Sequence, residues 1–280
     1  MTSTKPNQMT EDLPADIWES VIIPYFGLKQ LALTRAVCLF FDNYWHDRFD
    51  NNKLPLCVPY DLKTIESALR AGEQLNDLKT YTKKEPCQII VGEGIFGRNI
   101  GSSPLVLSYS LVLVGAGPEK TIFNGGFDII GRRKHHVALK ELRICNATGY
   151  GVNAYDGGAS FALNNVVVKK CRWGIQISRT FGECTNVEVT ECTESGIVVK
   201  NVATLTISGK KSCVHNNNTR NQMWVEGVTI FEDCRVNLVH PLTKELVFTN
   251  NGQWNFHRTR NWRPNQVHRI QEIRELPLVS

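Results

Sequence analysis

The sequence predicts a mainly β protein in which parallel strands stack into a solenoid, and three observations lead to this prediction. A pattern of two short strands split by a turn returns three times between residues 137 and 199, with first strands at 142–144, 166–168 and 187–189 and second strands at 152–154, 175–177 and 197–199. The first strands recur at steps of 24 and then 21 residues. Repeats of this length form solenoids, because one unit cannot bury its apolar face alone. The strands before the repeat follow one another without helices, separated by Gly-rich turns.

Composition narrows the class of protein further. The chain has 280 residues, 42% of them hydrophobic, and a formal net charge of +5, which is too mild to indicate nucleic acid without a clustered patch. Its nine cysteines are an odd number without a CxxC pair, which favours reduced thiols. The polar first residues lack a signal-peptide core, and no window approaches a membrane span. We therefore expect an intracellular protein of the cytoplasm or nucleus, without a membrane partner.

The N-terminal part of the chain has a different period from the repeat. Residues 1–10 read as a disordered tail, whereas residues 11–50 carry apolar side chains at helical spacing, beginning with Ile17, Val21 and Ile22. Asp12 is a plausible N-cap, and Pro14 stands at an early helical position. This pattern predicts a module of two or three short helices.

The helical module resembles an F-box. The residues that carry the resemblance are Leu13-Pro14, Trp18, Ile22, Tyr25-Phe26, Leu31, Leu33, Arg35, Val37-Cys38, Phe41 and Trp45. One departure is Gly27-Leu28-Lys29, where the family commonly has a proline and an acidic residue. The resemblance implies binding to the adaptor subunit of cullin–RING (SCF-type) ubiquitin ligases. The contact residues it implies are Leu13, Pro14, Ile17, Trp18, Val21, Ile22 and Leu31. The alternative is a helical cap docked on the solenoid.

Residues 51–61 read as a linker with Pro55 and Pro59, and residues 62–252 as the capped solenoid. Residues 62–78 form a helical pattern with Ile65, Leu69 and Leu75 on one face, which suits a cap over the first strands. Strands follow at 88–91, 105–107, 111–114, 121–123 and 128–130. After the three clear repeats we expect a fourth rung at 205–207, 213–214 and 224–225, and a fifth at 228–230, 236–239 and 246–248.

The strand-rich part resembles right-handed parallel β-helix proteins of the pectin-lyase-like class, including its non-catalytic members. Residues 110–117 look like an early rung of that class, and the later repeats match its short unit. The fold that this implies is a right-handed parallel β-helix with an N-terminal capping helix, preceded by the F-box-like module.

The C-terminal residues 253–280 form an aromatic-basic tail or cap. A cluster of aromatic and basic side chains extends from Trp254 to Arg263. The pattern of residues 266–276 fits a short amphipathic helix. Such a cluster could bind nucleic acid by stacking and phosphate contacts. We favour covering of the last rung, with aromatics packed and arginines outside.

Two motifs invite a chemical interpretation that their context does not support. Gly92, Gly94 and Gly97 match a dinucleotide fingerprint, but another strand follows instead of the helix that receives the pyrophosphate, so we interpret them as turn glycines. Four cysteines lie 21 residues apart, at Cys171, Cys192, Cys213 and Cys234. Stacked rungs would place thiols in a line, whereas zinc requires a tetrahedron. We expect a structural stack at the first two, no metal and no cofactor.

Catalysis on such a surface would need paired carboxylates, and the sequence offers no convincing pair. The candidate acids are Asp128, Asp156, Glu183, Glu188, Glu191 and Glu194. Asp128 and Asp156 are the least poor pair, and Glu188 has Val167 and the region of His215 as expected neighbours. We therefore expect no catalytic residue. The candidate surface residues are Asn153, Gln176 and Glu188.

Three functions remain open at this point. The first is a substrate-recognition adaptor of a ubiquitin ligase, with a protein or glycan target on the solenoid. The second is a structural or virion-associated protein with a vestigial F-box, because such architectures resemble predicted proteins of large DNA viruses and marine algae. The third is a carbohydrate-active enzyme. The same patterns favour neither a membrane nor a nucleic-acid partner.

Overall fold

A computed structural model describes residues 55–59, 62–78, 80–97, 103–155, 158–218, 227–231, 233–252 and 270–274. The F-box-like segment 11–50, with its seven expected contact residues, lies outside these ranges, as does most of the tail 253–280. The structure therefore bears on the solenoid and its capping helix.

The described part consists of strands and two helices, α1 (Ile65–Leu78) and α2 (Lys244–Val247). The strands are β1 (Leu56–Val58), β2 (Cys87–Val91), β3 (Gly94–Phe96), β4 (Leu105–Leu107), β5 (Leu111–Val114), β6 (Thr121–Asn124), β7 (Phe127–Ile129), β8 (His136–Cys145), β9 (Tyr150–Ala154), β10 (Ser160–Lys169), β11 (Trp173–Ser178), β12 (Phe181–Thr185), β13 (Glu188–Thr190), β14 (Ile197–Lys200), β15 (Thr204–Ser208), β16 (Cys213–His215), β17 (Val228–Ile230), β18 (Arg235–Val239), β19 (Phe248–Thr249) and β20 (Ile270–Ile273).

These strands form a parallel β-solenoid with three faces. Face 1 has the order β1-β2-β5-β8-β10-β12-β15-β18-β20, and face 2 has β3-β6-β8-β10-β13-β16-β19. The long strands β8 and β10 run through both faces and join them into one 14-stranded sheet. Face 3 is the six-stranded sheet β4-β7-β9-β11-β14-β17. The predicted parallel stacking is confirmed, and it is consistent with a right-handed β-helix.

The core fills the space inside the three faces. Alternate residues of each strand point inward, and the register stacks like on like. On face 3 the column Val152, Ile175, Ile197 and Val228 is in register and at most 2% exposed. On face 2 the column Leu142, Val166 and Val187 is likewise buried. Each coil therefore gains its apolar contacts from the coils above and below, as the repeat predicts.

Helix α1 covers one end of this core. Its face of Ile65, Leu69 and Leu75 is buried, as the sequence predicts, and it packs on β1 and β2. The buried Tyr109 hydroxyl donates a hydrogen bond of 2.9 Å to the Leu69 carbonyl. A capping helix on the first coil is thus present in the described structure.

The chain turns between faces at three bends, which we name by the faces they join. The first bend leads from face 1 to face 2, the second from face 2 to face 3, and the third from face 3 to face 1 of the next coil. Each bend uses residues with left-handed backbone. The first bend has Glu141, Asn165 and Asn186, the second has Asn146, Lys170, Glu191, Asn216 and Asn250, and the third has Arg179, Asn201, Val202 and Asp233. Asparagine dominates because its short polar side chain tolerates this conformation.

A column of glycines stands where the second bend meets face 3. The column is Gly126, Gly151, Gly174, Gly196 and Gly227. A Cβ on Gly174 would lie 2.2 Å from the Gly196 carbonyl oxygen, and one on Gly126 would lie 2.1 Å from that of Tyr150. Close approach of successive coils therefore requires these glycines. Gly149, Gly174 and Gly196 precede the second strand of each repeat, a bend at which the sequence predicts positive φ. None of the three is in the left-handed region, and the crowded position in the first repeat is Gly151.

A second column lies in the same bend and changes character along the solenoid. Its members are Ala147, Cys171, Cys192, Asn217 and Asn251, all buried. Asn217 donates 2.9 Å to Asn251 Oδ1 and accepts 3.0 Å from the Cys192 backbone N–H. The expected stack of Cys171 on Cys192 is therefore present, and the column continues with the hydrogen-bonded pair Asn217 and Asn251. Cys213 leaves this column and pairs with Glu188 on face 2.

Several sequence-based boundaries are wrong. The expected linker 51–61 contains strand β1, which pairs with β2. Residues 246–248 were expected as a strand, but helix α2 occupies most of them. Strand β17 lies on face 3 beside β14 and closes the fourth coil instead of opening the fifth. The C-terminal amphipathic helix is also wrong where it is described, because Ile270–Ile273 is strand β20 paired with β18.

The predicted two-strand repeat left out the face 1 part of its three coils, which belongs to the long strands β8 and β10 and to the separate strand β12. Strand β12 carries no apolar run, since its inward residues are Gly182 and Cys184. The glycine is required because a Cβ there would lie 2.4 Å from the Phe161 ring of the neighbouring coil. The large Phe161 side chain of one coil therefore requires a glycine in the next coil, and strand β12 lacks an apolar side chain at that position.

Candidate functional site

The outer side of face 3 carries a ladder of polar side chains. The register aligns Asp128, Asn153 and Gln176 across β7, β9 and β11. Asn153 Nδ2 donates 2.9 Å to Asp128 Oδ1, and Gln176 Nε2 donates 2.7 Å to Asn153 Oδ1. Each side chain is thus held by its neighbour in the next coil, so the row is ordered before any ligand arrives. We call these three residues the amide ladder.

The sequence-based candidates Asn153 and Gln176 therefore lie together, although they are less open than strand alternation suggests. Gln176 points away from the inward Ile175 and Ile177, yet it is only 5% exposed. Asn153 is half-buried. Contacts to a ligand at this ladder would fall mainly on Asp128 and Asn153.

An aromatic pair lies at the start of the same strands. Tyr150 and Trp173 are in register and stack with ring centroids 4.7 Å apart and 23° between their planes. The Arg172 guanidinium lies 4.0 Å from the centre of the Trp173 ring, and its Nε donates 2.7 Å to Glu194. The stack is therefore clamped by a cation–π contact and an ion pair. We call Tyr150, Arg172 and Trp173 the aromatic clamp.

The clamp was not among the sequence-based candidates. The repeat contained the signal, because aligning Val152 with Ile175 places Tyr150 opposite Trp173. Arg172 precedes the tryptophan, where a cation can reach the ring face. Register, more than residue type, would have revealed this cluster.

The third candidate, Glu188, lies on face 2 and is separate from the amide ladder. It stands between Val167 and Cys213 in register, and its carboxylate is 3.1 Å from His215 Nε2. The expected neighbours Val167 and His215 are confirmed. His215 Nδ1 also lies 2.9 Å from Asn216 Nδ2, so the imidazole is engaged on both sides.

Four of the five candidate acids that the structure describes are partnered by a cation, a histidine or an amide. Glu191 contacts Lys169 Nζ at 2.8 Å, and this hydrogen bond lowers the pKa of the carboxyl. Glu194 contacts Arg172, and Asp128 accepts from Asn153. Glu183 has Ala162 and Thr206 as its neighbours in register. Asp156 lies outside the described residues, so its pairing with Asp128 stays a prediction. Glycosidase chemistry requires two acids across the bond, and the described neighbours do not supply them.

Four cysteine thiols of the solenoid are poor nucleophiles. Burial raises the pKa of Cys171 to about 12 and that of Cys213 to about 11. Burial also raises the pKa of Cys184 and Cys192. A thiol with so high a pKa is almost entirely protonated near neutral pH, so these side chains act as small apolar groups.

The glycine-rich motif at residues 92–97 is part of the solenoid. Gly94 begins strand β3, which pairs with β6, and Gly97 has a φ of 93°. The sequence predicts turn glycines here, whereas residues Gly94–Phe96 form strand β3. The next described element is strand β4, which does not offer the helix N-terminus that a pyrophosphate requires.

Two further properties of the described residues concern metal ions and membranes. Within the described ranges no group of three or more His, Cys, Asp or Glu side chains could hold a metal ion. No helix in that part of the chain has the length and hydrophobicity needed to cross a bilayer.

No protein-family model matches the chain, and no curated protein matches its sequence.

Proposed function

We propose that this chain is a non-catalytic binding protein whose β-solenoid presents a rigid surface to a target. The observation that carries the proposal is the amide ladder, in which Asp128, Asn153 and Gln176 are held in a row by hydrogen bonds of 2.9 and 2.7 Å. A row of ordered amides can offer donors and acceptors to a partner without loss of side-chain freedom on binding.

The aromatic clamp supports the same proposal. Trp173 and Arg172 are residue types that concentrate binding energy at interfaces, and here both are fixed by stacking and by Glu194. The distribution of acids also favours binding over catalysis, because the described ones face cations, a histidine, amides or neutral side chains.

We further propose that residues 11–50 bind the adaptor subunit of a cullin–RING ubiquitin ligase, which would make the chain a substrate-recognition adaptor. This part of the proposal rests on the F-box resemblance of the sequence. The solenoid would then carry the target while the helical module holds the ligase.

A pull-down with the purified cullin adaptor subunit tests this part. Wild-type chain should bind, and the double variant Leu13→Ala, Trp18→Ala should lose at least about tenfold in affinity, since buried apolar anchors dominate such contacts. Glu183→Gln, on the outside of face 1, is the matched control and should bind as wild type does. Failure of the wild type, under conditions in which a known F-box binds, would contradict the adaptor role. Stoichiometric recovery of the chain in a larger assembly, with Trp18 shielded from solvent in the isolated protein, would favour the structural or virion role instead.

A glycan is the second candidate target, and the aromatic clamp favours it. Tyr150 and Trp173 are half-buried, and the open part of such a ring can pack against the apolar face of a sugar while neighbouring amides bond its hydroxyls. Affinity electrophoresis against a panel of neutral polysaccharides would detect binding, and Trp173→Ala should abolish it. Turnover that is lost in Asp128→Asn would establish the carbohydrate-active enzyme, whereas absence of both binding and turnover would exclude glycans from this surface.

A further inference from the structure

The third bend of the solenoid exposes an unusual set of side chains. Its described residues are 130–135, 155, 158–159, 178–181, 200–204, 231 and 233–235, which follow one another in successive coils. The described residues that are exposed there are Ile130, Arg132, Arg133, Lys134, Arg179, Phe181, Asn201, Val202, Phe231, Asp233 and Arg235. Four of these are large apolar residues and five are cations. We call this set the third-bend surface.

Large apolar side chains concentrate on this surface. Phe181 is 67% exposed, Val202 71%, Phe231 41% and Ile130 40%. Across the described ranges eight large hydrophobic residues are this exposed, so half of them lie on one of the three bends. Single exposed apolar residues need no explanation, but a concentration on one edge indicates a contact surface.

Val202 adds an independent observation. Its φ is 60°, and the preceding Asn201 is also left-handed at 57°. A β-branched residue in this conformation is costly, and Val202 recovers little by burial because it is mostly in solvent. Asparagine or glycine would be more stable at this position. An apolar, strained and exposed residue there indicates that the side chain contacts a binding partner.

The charge of the surface limits what can cover it. Each of the four described segments with an exposed apolar residue has a cation in it, among them Arg132, Arg179, Lys200 and Arg235. Among the described residues of these segments the one exposed acid is Asp233. Two further acids in the sequence of these segments, Asp156 and Glu232, lie outside the described ranges. The surplus of cations favours an anionic partner.

The shape of the surface then distinguishes between anionic partners. Successive bends are stacked at about 4.8 Å, so the exposed apolar side chains follow one another along a ridge about 20 Å long instead of lining a groove. A ridge of protruding aliphatic and aromatic groups can enter a lipid interface, which deforms around them, while flanking cations meet the headgroups. Single-stranded nucleic acid needs aromatic platforms for its bases, and Ile130 and Val202 cannot supply them.

We propose that the third-bend surface docks this chain peripherally on an anionic lipid surface. This docking is independent of the proposed adaptor role and of the amide ladder. It reverses our expectation, based on the sequence, that the chain has no membrane partner, since that expectation addressed spanning segments and not insertion of single side chains.

Co-sedimentation of the full chain with vesicles tests the proposal. We expect binding to phosphatidylcholine vesicles that contain phosphatidylserine, weaker binding to phosphatidylcholine alone, and loss of binding as salt rises. Phe181→Ser should lower the partitioning of the protein onto vesicles about tenfold, because the variant loses the free energy gained when the phenylalanine side chain moves from water into lipid. Val202→Asn should also lower partitioning while raising stability, which separates lost docking from lost folding.

Matched controls lie on other parts of the solenoid. Ile95→Ser removes an apolar side chain that is 70% exposed on face 2, and it should leave partitioning unchanged. Lys210→Gln with Lys211→Gln removes two exposed cations outside the third bend and should have less effect than Arg132→Gln with Arg133→Gln.

Three results would overturn the proposal. The first is absence of wild-type binding to the anionic vesicles. The second is an equal loss of partitioning for Ile95→Ser and Phe181→Ser. The third is binding of oligothymidylate that Phe181→Ser abolishes while vesicle binding persists, which would assign the surface to nucleic acid. The adaptor pull-down is unaffected by any of these results, so failure here leaves the proposed function standing.

Discussion

Replacing Gly174 by alanine is the sharpest test of how the coils pack. The new Cβ would lie 2.2 Å from the Gly196 carbonyl oxygen and 2.4 Å from Val189 Cγ1, whereas ordinary contact begins at 3.4 Å. Neither neighbour can rotate away, since one is backbone and the other is a buried core side chain. The two coils must therefore separate locally by about 1 Å of their 4.8 Å spacing.

The cost follows from what this separation disturbs. The backbone N–H groups of Gly174 and Ile175 donate 3.1 and 2.9 Å bonds to Ser195 and Gly196 of the next coil. Weakening both, together with overpacking of the core, should lower the free energy of unfolding by about 3 kcal/mol. The lower backbone entropy of the unfolded alanine variant offsets less than 1 kcal/mol of this.

Gly149→Ala is the matched control, because a Cβ there meets no atom within 4 Å and its φ is not left-handed. We expect it to be neutral or to stabilise the protein by about 0.5 kcal/mol. Urea denaturation followed by circular dichroism measures both variants. If Gly174→Ala came within 0.5 kcal/mol of Gly149→Ala, roughly the scatter of surface substitutions, crowding between coils would not be the reason for the glycine column.

The other predictions concern stability at three further positions, each measured by denaturation. Asn217→Ala should lower the free energy of unfolding by about 3 kcal/mol, because the buried Cys192 N–H and Val189 carbonyl lose a hydrogen-bond partner. Its control is Asn216→Gly, at the exposed neighbour with left-handed backbone, which should change the free energy of unfolding by less than about 0.5 kcal/mol. Val202→Asn should raise it by about 1 kcal/mol by relieving left-handed strain, and an unchanged or lower stability would refute the strain. Burial, with smaller effects of nearby lysines, lowers the pKa of His136 to about 4. Because the unfolded histidine takes up its proton near pH 6.5, stability should fall as pH drops from about 6.5 to about 4, and His136→Gln should flatten that slope. An equal slope in the variant would assign the effect to other groups.

Strand existence was predictable where apolar alternation repeats. The columns through Val152, Ile175 and Ile197 follow from the period of two and the repeat step, and the structure confirms their register. Strand β12 was not predictable in this way, because Gly182 gives up its apolar side chain to make room for Phe161 of another coil. Such compensation between coils has no local signature in the sequence.

The candidate site shows the same division. Asn153, Gln176 and Glu188 were predicted to lie outside the core, which strand alternation determines. Their grouping depends on the register between neighbouring coils. This register places Asn153 and Gln176 beside Asp128 on face 3 and Glu188 beside His215 on face 2. The amount of exposure also escaped prediction, since Gln176 keeps only 5% of its surface.

By itself the sequence determined that the chain forms a stack of parallel strands, because apolar alternation and a near-constant repeat leave each unit dependent on its neighbours. It also predicted the stacking of Cys171 on Cys192, which the structure confirms. Only the tertiary structure decided why the bend glycines are glycines, where the amide ladder and aromatic clamp form, and which bend carries Phe181, Val202 and Phe231. The physical reason is that all of these depend on contacts between residues 20 or more positions apart, which are set by the register of stacked coils.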